Sequence, residues 1–235
     1  MTPRDLTPFP VDPEILARIR PLRRKDVGAV VALHHQAMGT SLWARLGPIF
    51  LAELYCSMLA HPNFRGFVYE EEEQVRGFIA GTSDGPRMFR NLALKRGHRL
   101  LVAMIPGLVR KPVLAFRLAR TFGYFRHSNP GEHPAIQAES LFCSFAPQLR
   151  GKRISGLINK VLFDDMAGLG HEQIKITSEA DNMGAFRQLT SWGFEVTGRF
   201  RFYGKEMLSW RMDLVANERV EPVCRYLPEE NTKCR

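Results

Sequence analysis

The segment that most constrains this chain lies between Ala135 and Ser178. A strand pattern (AIQAESLFCSF, 135–145) runs through a glycine-containing turn into an apolar helix (154–168) and then a second strand (EQIKITS, 172–178). A strand–helix–strand crossover of this kind places its two strands parallel in one sheet. The other strand signals are LARIRPL (16–22), the hairpin GFVYEEEEQVRGFIAGT and two runs at 194–203 and 206–214. Apolar residues at helical spacing predict helices over 27–38, 43–60 and 182–191. Asp26 is a candidate N-cap for the first of these and Gly39 its stop; His61-Pro62 ends the second. The prediction is an α/β fold with a mixed central sheet of about seven strands flanked by helices.

Hydrophobic residues make up 45% of the 235, enough for a sizeable core, which excludes wholesale disorder. Residues 1–13, with four prolines, read as an irregular arm, 14–214 as one domain with an insertion at 85–131, and 215–235 as a charged surface tail. Cys56, Cys143, Cys224 and Cys234 form no CxxC pair and join no His at ligand spacing, so neither a metal site nor a disulfide framework is expected. The N-terminus lacks a signal-peptide pattern, and no uninterrupted apolar run reaches the roughly 20 residues of a membrane span. The expected location is the cytoplasm.

Charge is unevenly placed. The net charge is +9, yet ten Lys or Arg and no acid lie between Asp84 and Glu132, against 23 basic and 24 acidic residues elsewhere. One segment therefore carries the positive field, and general nucleic-acid binding is not expected. Pro106 and Pro112 are read as splitting that segment into two amphipathic helices. Their apolar faces suit packing on the core; their basic face suits an anionic ligand or contact with a membrane surface.

The turn Gln148-Leu-Arg-Gly151-Lys-Arg-Ile-Ser155 enters a helix whose first N–H groups and positive dipole end can hold phosphate. It is neither GxxxxGK[ST] nor GxGxxG. About thirty residues on come Asn182, Ala185, Gly193 and Phe194. Together, in this order, these resemble the Q/R-x-x-G-x-G/A and N-x-x-A…G-F patterns of the GCN5-related N-acetyltransferase (GNAT) superfamily. AESLFCSF is similar to the matching strand of its histone acetyltransferases. The resemblance spans residues 16 to 214, with 85–131 as an insertion.

That resemblance implies acetyl-CoA as co-substrate, no metal, and a primary amine as acceptor. Phe142, Cys143, Ser144 and Phe145 would line the pantetheine arm through main-chain atoms. The N–H groups from Leu149 to Ser155 (Leu149, Arg150, Gly151, Lys152, Arg153, Ile154, Ser155) would hold the pyrophosphate, with Arg150, Lys152 or Arg153 adding charge, and Asn182 would touch the cofactor. Glu139 matches the catalytic base; the other reading is a strand-start carboxylate in a salt bridge. Cys143 reads as a packed residue, since no base adjoins it.

The pattern departs from the family twice. Arg153 replaces the second glycine of the turn, and Leu189 stands where the family's tyrosine protonates the departing thiolate, leaving water, Tyr203 or Ser191 to do so. His34 reads as packing and His35 as an acceptor contact; Trp43 and Tyr55 read as core. The expected activity is acetyl transfer to a small, anionic amine such as an amino sugar. The alternatives are a non-catalytic CoA-binding module and a membrane-peripheral acyltransferase. Oligomeric state is not legible in the sequence.

Overall fold

The computed structural model describes residues 8–114, 136–149, 151–202 and 204–221. Arg150 and Tyr203 lie outside these, as do the insertion's expected second helix with Arg117, Arg120 and Arg126, and Cys224 and Cys234. Cys56 and Cys143 are free thiols.

Asp12 caps a short helix, α1 (Pro13–Ala17), by accepting from the N–H groups of Glu14 and Ile15. The first two residues of the strand predicted over 16–22 are thus helical, and β1 is only Ile19–Pro21. Helix α2 (Val27–Met38) follows as predicted. Asp26 does not cap it, however: its carboxylate binds the Arg20 guanidinium at 2.7 and 2.9 Å and the Arg23 N–H at 2.8 Å. The helix expected over 43–60 is two, α3 (Leu42–Arg45) and α4 (Pro48–Leu59). Gly47, at φ +100°, breaks the run, and Pro48 restarts it at a first-turn position that needs no N–H.

The hairpin β2 (Phe64–Glu71) and β3 (Gln74–Thr82) turns through the acidic loop. After it comes α5 (Gly85–Arg110), capped by Asp84 accepting from the Arg87 N–H. Pro106 does not divide this helix. A proline there removes the bond to the Val102 carbonyl, and Val102 is 65% exposed, so water can serve that oxygen. One face, with Met88, Leu92, Ala103 and Gly107, is buried, whereas Leu94, Leu101, Val102, Ile105 and Val109 are exposed.

The remaining elements are β4 (Glu139–Phe145), α6 (Ile154–Gly168), β5 (Gln173–Glu179), α7 (Met183–Trp192), β6 (Glu195–Phe202) and β7 (Lys205–Asp213). The seven strands form one sheet in the order β1-β2-β3-β4-β5-β7-β6, with β4–β5 as its parallel pair. One core, with Phe163, Trp192 and Trp210, lies under α6; the other, with Phe50, Tyr55 and Phe78, lies under α2, α4 and α5. Arg65 on β2 fastens α6 by two bonds of 2.6 and 2.7 Å to the fully buried Asp165.

Segments on either side of the sheet in sequence pack onto α6 and α7. Phe9, in the arm, stacks on Trp192 with ring centroids 4.8 Å apart. Residues 215–221, read as a surface tail, return to the core. Asn217 Nδ2 donates to the Trp192 carbonyl at 2.8 Å, and the Glu221 N–H donates to Asp164 at 3.0 Å.

Candidate active site

The parallel pair is short. β4 and β5 are registered only at Glu139↔Lys175 and Ser140↔Ile176; beyond that point β5 stays with β7 and β4 stays with β3. The strands therefore part, and the main-chain edge of β4 from Phe142 to Phe145 faces an opening rather than a partner. A bulge contributes to this. Ala80 faces Phe142 and Gly81 faces Ser140, so Leu141 is an extra residue that shifts β4 and increases its twist.

Side chains beside the opening are committed to the two cores. Ser144 Oγ donates to the Leu33 carbonyl at 3.0 Å. The Phe142 ring lies 4.9 Å from that of His34, whose Nδ1 is 2.7 Å from Tyr55 Oη. His34 is packed, as expected, and burial lowers its pKa to about 4. Burial pushes the Cys143 thiol up to about 12, and its sulfur sits 3.7 Å from Asn159 Nδ2. A protonated, packed thiol is no nucleophile. His35, by contrast, is exposed on α2.

Leu149 is buried and ends the 3₁₀ turn that leaves β4. Gly151 has φ +80° with open space where a Cβ would stand, and Arg153 has φ +57°. The substituted glycine position thus keeps a left-handed backbone, and the Arg153 side chain projects into solvent beside that of Lys152. Two N–H groups expected to hold phosphate are already used: that of Leu149 donates to the Ala146 carbonyl at 3.0 Å, and that of Lys152 to the Leu149 carbonyl at 3.2 Å. Those of Gly151, Arg153, Ile154 and Ser155 have no backbone acceptor among the described residues, and they stand at the positive end of the 15-residue α6.

Glu139 opens β4, half-buried, with Oε2 3.9 Å from Lys175 Nζ across the parallel pair. A Cβ on Gly85 would meet the same oxygen at 2.9 Å, so α5 begins against this carboxylate. Asn182 is the N-cap of α7, its Oδ1 accepting from the Ala185 N–H at 3.1 Å. Leu189 is buried in the core under α6. Ser191 is exposed and donates to the Gln188 carbonyl at 2.7 Å.

A second feature was not legible in the sequence. The α2–α3 connection and the β6–β7 hairpin enclose a cavity of about 230 Å³ against the flared end of β5. There Lys205 Nζ binds Glu179 Oε1 at 2.6 Å and lies 3.3 Å from Thr40 Oγ1, a contact across 165 residues of sequence. No sequence window holds both sides of it.

Among the described residues, no group of three or more His, Cys, Asp or Glu could hold a metal ion, and no helix is long and apolar enough to cross a membrane. No protein-family model and no curated protein sequence matches the chain. Solved structures do. An N-acetyltransferase from Staphylococcus aureus superposes with a TM-score of 0.54 at 15% identity, covering 83% of this chain and 97% of its own. A ribosomal-protein-alanine N-acetyltransferase from Brucella melitensis gives 0.53 at 18%, covering 83% and 98%. The protein yncA from Salmonella typhimurium, determined with its cofactor acetyl-CoA, gives 0.52 at 14%, covering 83% and 92%. The seven-stranded sheet with its parted parallel pair and the helices around it therefore have the fold of the GNAT superfamily.

Proposed function

We propose that the protein is an acyl-CoA-dependent N-acetyltransferase acting on the primary amine of a small molecule. The observation that carries this reading is the opening between β4 and β5, which leads directly to an N–H-lined turn at the start of α6. The backbone edge at Phe142, Cys143, Ser144 and Phe145 offers donors and acceptors to an amide-bearing arm, as a missing strand would. The N–H groups of Gly151, Arg153, Ile154 and Ser155 suit a pyrophosphate, with Lys152, Arg153 and Arg150 adding charge. Asn182, its oxygen used by the cap, has an NH₂ left for the cofactor. Acetyl-CoA fits this site and supplies an activated thioester whose acyl carbon the amine attacks.

The chain's own contribution is positioning and proton transfer. Glu139 is the proposed base: it takes the proton that the amine loses on forming the new C–N bond. Lys175 Nζ lies 3.9 Å from its Oε2. Water supplies the proton to the departing thiolate, since Leu189 has no hydroxyl and a CoA thiol, with a pKa of roughly 8.5 by analogy with cysteine, is a fair leaving group. The proposed acceptor is a small anionic amine, such as an amino sugar, whose amine reaches Glu139 while the cavity at Thr40, Glu179 and Lys205, four residues along β5 from Lys175, holds its far end. We place the protein in the cytoplasm.

The decisive experiment is calorimetry with acetyl-CoA, with desulfo-CoA and ATP as comparators, followed by thiol release across a panel of amines. Saturable binding that prefers the CoA forms, and turnover reduced by about 10²-fold or more in Glu139→Gln, is the expected result. Leu189 in the core favours a second reading, a CoA-binding module without turnover. Binding with no thiol release for any amine would establish that one, and no binding at millimolar ligand would remove both.

A further inference from the structure

Away from the β4–β5 opening, the C-terminal end of α4 and the first half of α5 enclose a groove of about 620 Å³. Arg87, Asn91, Lys95 and Arg99 fall on one face of α5 at spacings of four, and Arg96 joins them at the groove. Four cations thus converge on one space. The nearest carboxylate partner is Glu53, 3.9 Å from Arg99, while Arg87, Lys95 and Arg96 have no ion pair among the described residues. Asp84 is occupied as the α5 N-cap. The C-terminal carbonyls of α4 supply about half an elementary charge, far too little to balance four. Lys95 and Arg99, like charges one turn apart, weaken the helix that carries them. A merely solvated face would spread such charges rather than gather them around a cavity.

The floor of the groove is built of matched polar groups. His61 Nδ1 accepts from the Asn63 N–H at 3.2 Å. Asn91 Nδ2 lies 3.0 Å from His61 Nε2, which fixes the Asn91 amide at the floor of the groove. Burial lowers the His61 pKa, Arg87 and Lys95 lower it further, and Asp84 opposes them without reversing the direction. The imidazole is therefore a neutral support for Asn91 within a positive field.

We infer that this groove is a binding site for a phosphoryl-bearing ligand, separate from the N–H-lined turn at α6. Guanidinium forks and an ammonium around a polar floor match the several oxygens of clustered phosphates. The inference does not rest on acetyl transfer.

Tripolyphosphate is the probe, measured by calorimetry at two salt concentrations. Because the turn at α6 also attracts anions, the reference protein is Lys152→Gln/Arg153→Gln. Saturable, salt-sensitive binding is expected to persist in it and to weaken at least tenfold when Arg87→Gln/Lys95→Gln is added. Glutamine removes charge without removing helix propensity, so thermal stability is expected to hold. Binding that vanishes in the reference protein, or that ignores Arg87→Gln/Lys95→Gln, overturns the inference. Vesicles containing phosphatidic acid identify the source of the phosphoryl group. Pelleting that tripolyphosphate displaces marks a lipid headgroup, and tripolyphosphate binding without pelleting marks a free phosphorylated metabolite.

Discussion

A Cβ on Gly107 would stand 2.2 Å from the carbonyl oxygen of Leu46. Helix α5 thus lies directly against the turn between α3 and α4, at a point where a missing side chain allows it. Gly107→Ala is expected to destabilise the protein by about 1–3 kcal/mol through forced separation of these backbones. Gly97, in the same helix, has nothing within 4 Å of its Cβ position. Gly97→Ala is expected to stabilise by about 0.5–1 kcal/mol through helix propensity. Denaturant midpoints of the two variants check both signs.

Arg65 and Asp165 form a bidentate pair with the carboxylate fully buried. Burial raises the Asp165 pKa, and Arg65 holds it back. Arg65→Met is expected to cost about 3–5 kcal/mol at neutral pH, because a buried charge loses its partner. Arg65→Met/Asp165→Leu should recover most of that loss, and equal destabilisation of single and double variants would contradict this account.

Two buried groups bend the pH dependence of stability in opposite directions. His34, lowered from 6.5 to about 4, takes up a proton later in the folded than in the unfolded chain. Its contribution therefore falls as pH drops from 6.5 to 4, by up to ~3 kcal/mol. Asp164, raised by burial from 3.8 to about 6, holds its proton longer when folded, so its contribution falls as pH rises through that window. Urea midpoints against pH should show a steeper acid loss in Asp164→Asn than in wild type. His34→Gln should make the acid loss shallower than in wild type. Three parallel curves would refute both assignments.

Arg153 separates backbone from charge at the turn. Its left-handed φ costs a non-glycine residue about 1–2 kcal/mol, and glycine's greater unfolded-state entropy offsets about 0.5–1 of it. Arg153→Gly is expected to leave stability unchanged or raise it slightly. CoA affinity should fall in a salt-dependent manner if the guanidinium adds charge there. Thermal melts and calorimetry on one preparation read the two effects independently.

The sequence by itself determined the features whose cause is local. The AESLFCSF strand, the glycine turn and the α6 pattern predicted a parallel pair, because a crossover of that kind leaves little choice of direction. Gly47-Pro48 and Asp12 were equally local but were overridden by longer apolar runs, so one break and one cap went unread. Pro106 does not divide α5 because the residue that loses its bond, Val102, lies on the exposed face, which only packing of α5 on α4 decides. Tertiary structure alone decided where β4 leaves β5, since that depends on the bulge at Leu141 and the pull of β7 on β5. It also joined Thr40 to Lys205, and His61 to Asn91. Those contacts are set by how the sheet twists and where helices settle on it, and no short stretch of sequence contains that information.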